Sequence, residues 1–240
     1  MKTTQNIIFI ILFLFSLESK CQNYKLDTTS IYFPENNIKF YFPKISHIDS
    51  NIESQINDII NRVIITELYI SDTTITKLTN LPFEEMQGWH GSYFNVLYNK
   101  NSIISIEFIF DSQSNPIPLR FIKTFDILKK RELTIDEIIN PKFKNKLFNQ
   151  IGSKIDDEIS RAIEYINSDE EFVNSQKYYV ECYESLRKQQ QFEFYIEELN
   201  QAIIIELSNL CIPGIDSFTY YYKYPEIKKY LKDDYKRRIN

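Results

Sequence analysis

Hydrophobic and polar positions change period several times along the chain, and each change marks an element. Ile52, Ile56, Ile59, Ile60 and Val63 recur at helical steps behind Ser50-Asn51-Ile52-Glu53. That quartet reads as a capping box opening a helix whose apolar stripe is core. Phe143, Leu147, Ile151, Ile155, Ile159 and Ile163 repeat every four residues after Asn140-Pro141. They predict the longest amphipathic helix, with Pro141 suited to its first turn and Gly152 tolerated inside it. Period two predicts a strand at 38–42 stopped by Pro43, another at 71–79, and a hairpin of 89–98 with 102–111. The turn between the last two is Tyr98-Asn99-Lys100-Asn101, where asparagine tolerates positive φ.

The stretch "PLRFIKTFDILKKRELTIDEIIN", residues 118–140, switches period midway: alternation through Leu119, Phe121 and Phe125, a charged turn at 128–131, then a capped helix start at Thr134-Ile135-Asp136-Glu137. It supplies the third strand of a meander and leads into the helices. Ser168-Asp169-Glu170-Glu171 caps a further segment carrying Phe172, Tyr179 and Cys182. Strand character returns at 192–196, 202–207 and 217–222, before a terminal helix over 225–238. The pattern is α+β: antiparallel strand clusters, a meander and a later hairpin, packed with a long central amphipathic helix and a C-terminal helix.

The amino terminus changes this picture. Lys2 precedes the apolar run of residues 7–15, and Glu18, Ser19 and Lys20 follow, the layout of a secretory signal. A helix over 7–17 rises about 16 Å, roughly half a hydrocarbon core, so no permanent membrane span is expected. Small residues at Ser19 and Cys21 place the cut after Cys21, giving a signal peptide at 1–21 and one domain at 22–240. Lipid anchoring through Cys21 is the lesser expectation, because Glu18-Ser19-Lys20 lacks the small and aliphatic run of lipoprotein processing. The expected location is therefore periplasmic or secreted.

Of 240 residues, 43% are apolar, enough for one substantial core. Losing Lys2, Lys20 and Glu18 turns 28 basic and 33 acidic residues into 26 and 32, a formal charge of −6, which argues against nucleic acid as a partner. Cys182 and Cys211 remain. In an oxidising compartment they either close a loop of about 30 residues, worth about 3 kcal/mol, or stay as buried thiols.

Chemistry is sparse. His47 and His90 are the two histidines, with no HExxH, paired Cys-x-x-Cys or Gly-x-Ser-x-Gly, so no metal, cofactor or nucleophile is expected. Asp156-Asp157-Glu158 and Asp169-Glu170-Glu171 fall on predicted helices as solvated faces and caps. Trp89, His90 and Tyr93 are the candidate ligand-binding residues, although core packing also accounts for Trp89. Tyr220-Tyr221-Tyr222 has the spacing of a two-faced strand as well as that of a stacking platform.

"SYFNVLYNKNSIISIEFIF" at 92–110 followed by "FDILKKRELTIDEII" at 125–139 resembles the extracytoplasmic domain shared by the lysozyme-sensing anti-sigma factor RsiV and the non-catalytic part of the peptidoglycan deacetylase PdaC. Phe125, Asp126, Leu133 and Glu137 match that family's F-D segment, and "FEFYIEELNQAIIIEL" with "YPEIKKYL" resembles its closing hairpin and terminal helix. Two departures stand out. Asp111-Ser112-Gln113-Ser114-Asn115 replaces a Gly-Ala-His-like turn, so no ligand role of that histidine transfers. Lys130 replaces the glycine of the F-D segment, which requires either left-handed backbone at a modest cost or another turn. The resemblance implies an exported, non-catalytic envelope module binding an extracytoplasmic protein or a cell-wall glycan such as peptidoglycan. The alternative is a carboxylate-dependent hydrolase or transferase acting on envelope material, which requires two acidic residues to meet in a pocket with the pKa of one raised.

Overall fold

The computed structural model describes residues 24–34, 37–68, 70, 77–86, 88–112, 118–168, 175–189, 192–207 and 218–239. The signal segment, residues 71–76 of the strand expected at 71–79, the acidic run 169–171 and Cys211 lie outside the described residues.

Six strands, β1 (Tyr24–Phe33), β2 (Ile38–His47), β3 (Trp89–Lys100), β4 (Ile103–Ser112), β5 (Leu119–Asp126) and β6 (Arg131–Glu132), lie in that order in one sheet. Neighbours are antiparallel except β2 and β3, which run parallel at Lys39–Gly91 and Phe40–Ser92. The crossover between these two contains α1 (Ser50–Glu67), as a parallel connection requires. After α2 (Ile135–Ile138), α3 (Pro141–Ser168) and α4 (Gln176–Gln189), a second antiparallel sheet forms from β7 (Glu193–Glu197), β8 (Ala202–Leu207) and β9 (Phe218–Lys223). The chain closes with α5 (Tyr224–Ile227) and α6 (Asp233–Arg238).

Strand β4 sorts the cores, because successive side chains point to opposite faces. Ile104, Ile106, Phe108 and Phe110 pack with Phe40, Phe42 and the α1 residues Ile56, Ile60 and Ile64. On the other face Ile103 joins a core built from α3, α4, the second sheet and the C-terminal turns. The second sheet also roofs part of this outer face, Tyr195, Ala202 and Ile204 packing with Ile122 of β5 and with Leu97 against them. Two hydrogen bonds fix the seat of β7: Ile196 N donates to Ser105 Oγ at 3.1 Å, and Glu198 N donates to Leu97 O at 2.8 Å.

Pro43 does not stop β2. Along one edge of that strand, Tyr41 exchanges hydrogen bonds with Ser92 Oγ (3.1 and 3.0 Å), Ile45 with the Asn57 amide (2.8 and 2.7 Å), and His47 N donates to Glu53 at 2.9 Å. Side chains rather than a strand satisfy this edge, so the missing N–H of Pro43 breaks no ladder. Glu53 is thereby drawn to His47, and the cap of α1 is Asp49, accepting from Asn51 N and Ile52 N, in place of the expected Ser50 box. At the described end of the strand expected over 71–79, Leu78–Asn80 is a 3-10 turn.

Further corrections follow from helical geometry. A four-residue repeat advances 400° per step, drifting about 40° each time on a helix of 3.6 residues per turn. Leu147, Ile151, Ile155 and Ile159 are therefore fully buried at the middle of α3, whereas Phe143 at one end is 39% exposed and Ile166 replaces Ile163 as the buried residue at the other. The expected single terminal helix is interrupted at Leu231, which bridges to Ile139 while Lys232 N donates to Ile138 O at 2.9 Å.

The F-D segment is a fastener. Asp126 is fully buried and receives both terminal nitrogens of Arg238, at 2.6 and 2.8 Å. Arg238 also donates to Asn101 O and Ser102 O, and its own carbonyl accepts from Tyr98 and Asn101. The carboxy-terminal helix is thus tied to the β3–β4 turn, where Asn101 and Ser102 both take positive φ. Lys130 has φ 53°, the left-handed option of the two open for that position.

Candidate functional site

The registers of β1 to β5 place distant residues side by side on the outer face. Tyr41 follows Phe40 and Tyr93 follows Ser92 in the parallel pair, so the two tyrosines are cross-strand neighbours. One row across the face reads Ser30, Tyr41, Tyr93, Ile109 and Arg120; the row beside it holds Tyr32, Lys39, Gly91 and Asp111. Tyr32, Tyr41 and Tyr93 are 54%, 40% and 46% exposed. The Lys39 ammonium lies 4.9 Å from the Tyr41 ring centre, and Tyr32 Oη donates to Asn37. A side chain at Gly91 would press on Lys39 O, 3.0 Å from an added Cβ, so glycine permits the close approach of β2 and β3 that aligns these rings.

Where this open face meets the second sheet, buried Glu107 pairs with Arg120 and accepts from Asn95 at 2.7 Å. Burial works against the Arg120 charge, but the hydrogen bond and field of Glu107, with Tyr195 and Glu206 behind it, raise its pKa. A charged, hydrogen-bonding border therefore lines the tyrosine patch.

The three expected ligand residues separate. Trp89 sits against Phe110 in an edge-to-face contact with centres 5.8 Å apart, on the α1 side of the sheet. Tyr93 stands on the opposite face, and His90, exposed, occupies the register shift between Trp89 and Gly91. Tyr41 and Tyr32 were not legible as partners of Tyr93, because a parallel register across about fifty residues brings them together. Cys182, half-buried on α4, is disulfide-bonded, and its partner lies outside the described residues.

Carboxylates also converge, at another place. Glu132 and Glu193 line a cavity of about 230 Å³ with Lys123, walled by Ile122, Phe192 and Phe194. Lys123 Nζ lies 2.7 Å from Glu67, 3.2 Å from Glu193 and 3.8 Å from Glu132. Burial raises the Glu132 pKa, Lys123 opposes this, and Glu67, Glu193 and Glu137 reinforce it. Among the described residues no group of three or more His, Cys, Asp or Glu is arranged to hold a metal ion, and no helix is long and apolar enough to cross a membrane.

No protein-family model matches the chain, and no curated protein matches it by sequence. Among solved structures it is similar to a DUF3298 family member from Bacteroides fragilis, 11% identical with a TM-score of 0.49, over 88% of this chain and 94% of that one. It is likewise similar to a DUF3298 family protein from Pseudomonas aeruginosa, 13% identical with a TM-score of 0.45 over the same shares. Both of these structural neighbours are DUF3298 family proteins.

Proposed function

We propose that the chain is an exported, non-catalytic envelope module that binds cell-wall glycan on the tyrosine face of its large sheet. The observation that carries this reading is the alignment of Tyr41 and Tyr93, half-exposed and adjacent, with Tyr32 beside them. Tyrosine rings offer broad apolar area at small entropic cost and a polar tip, which suits the C–H faces and hydroxyls of a sugar. Size decides between ligand classes. At about 4.8 Å between strands and 3.3 Å per residue, the patch measures on the order of 200 Å². A stable protein interface takes about 800 Å² per partner, so an oligosaccharide fits the patch and a protein overfills it. The signal layout of residues 1–21, the resemblance to the RsiV and PdaC domains, and the half-cystine at Cys182, which we assign to pairing with Cys211, support an oxidising, extracytoplasmic location.

Titration of the purified chain with soluble peptidoglycan fragments tests this. Binding that weakens about tenfold, or 1.4 kcal/mol, in each of Tyr41→Ala and Tyr93→Ala is expected. Fragments that fail to bind, or bind both variants as tightly as the parent, overturn it.

A second reading, a carboxylate-dependent hydrolase or transferase acting on envelope material, draws on the shared cavity of Glu132 and Glu193. Both carboxylates are engaged by the Lys123 ammonium, at 3.8 and 3.2 Å, so the binding reading is preferred. Peptidoglycan cleavage abolished by Glu132→Gln and by Glu193→Gln would restore the second.

A further inference from the structure

Lys123 is over-subscribed. Its side chain is 13% exposed, and three glutamates from three different elements surround it: Glu67 at the end of α1, Glu132 of β6 and Glu193 of β7. One ammonium cannot neutralise three carboxylates held within 3.8 Å of it, and the repulsion left over is only partly screened by solvent, because Glu67 and Glu132 are about two-thirds covered while Glu193 is half exposed. Arg62 of α1 lines the furrow holding Glu67 and Glu132, while Glu137 of α2 is engaged by Arg131 of β6 at 2.6 Å. Glu132 lines both that furrow and the neighbouring cavity, so a proton from solvent reaches it from two sides.

We propose that Lys123, Glu67, Glu132 and Glu193 form a proton-operated clasp between the two sheets, which tightens when one proton from solvent enters at Glu132. Protonation converts one of three competing acceptors into a neutral hydrogen-bond donor and leaves Lys123 shared between two carboxylates. The clasp joins α1 and the large sheet to the first strand of the small one, so its charge state sets how firmly β7 is held.

The sign of the linkage is opposite to ordinary acid denaturation. Burial, aided by the neighbouring carboxylates, holds the Glu132 pKa above its usual value. Between the two values the folded chain binds a proton that the unfolded chain does not, so stability rises as the pH falls through that window and is lost as it rises. Asp234 behaves in the reverse sense: its hydrogen bond from Lys129 lowers its pKa, so its contribution is lost only below the ordinary carboxylate range. The two windows do not overlap.

Thermal unfolding of the chain, scanned from neutral pH down to the ordinary glutamate value of about 4.3, tests the clasp. The parent melting temperature should climb on acidification. Glu132→Gln should raise the neutral melting temperature by about 2–4 °C, the shift for 1 kcal/mol in a domain of this size, and should flatten the climb. Lys123→Met should melt lower at neutral pH and regain part of the loss in acid. If Glu132→Gln melts lower than the parent at neutral pH, or retains the parent climb, the clasp is wrong; this variant decides alone should Lys123→Met fail to fold.

Discussion

Leu97, Ser105 and Ile122 lie on the same face of the large sheet as Tyr32, Tyr41 and Tyr93, yet the first group is roofed by the second sheet and the second group meets solvent. The covered half is mostly aliphatic or small, Tyr98 being its buried aromatic, and its polar atoms are matched: Ser105 bonds Thr124 at 2.8 Å and accepts from Ile196, and Tyr98 Oη donates to Arg238 O. The open half is aromatic and edged by Lys39, Asp111, Asn95 and Arg120. Folding accounts for the covered half through apolar burial. It does not account for three exposed tyrosines in two adjacent rows, since a polar face would serve the fold equally well; the glycan contact proposed above would account for them.

Substitutions can break this contrast. The largest loss is expected at the end of the covered half, where Asp126→Ala takes from the largely covered Arg238 its bidentate carboxylate. Urea unfolding should show a loss of about 3–5 kcal/mol, and a loss below about 1 kcal/mol would remove its role as fastener. Next comes Ile204→Ala, fully buried where the sheets meet, which should cost about 3 kcal/mol by the same measurement. A much smaller loss would mean that the second sheet does not cover this half firmly. The smallest effect lies outside both halves. Lys130→Gly should gain about 0.5 kcal/mol, because relief of left-handed strain slightly exceeds the added entropy of the unfolded glycine.

Local periodicity carried much of the fold. The α3 stripe, the β3–β5 meander and the β7–β8 hairpin were legible because each depends on residues a few positions apart. Strand β1 was not, since its alternation breaks between Leu26 and Thr29, where inward side chains change parity. The extent of β2 was hidden as well: only the side chains of Asn57, Ser92 and Glu53, remote in sequence, make a proline harmless there. The same limit applies to the sites. Tyr93 was identifiable as an exposed aromatic candidate, but its alignment with Tyr41 depends on a parallel register, and the Lys123 cluster draws on positions 67, 123, 132 and 193. No spacing rule links residues so far apart.

The most direct measurement pairs peptidoglycan-fragment affinity with unfolding free energy in Tyr41→Ala and Tyr93→Ala. The account predicts stability within about 0.5 kcal/mol of the parent and affinity reduced about tenfold in each. Variants that unfold more easily while binding fragments as tightly as the parent would show that the tyrosines serve the fold, and the binding face would be contradicted.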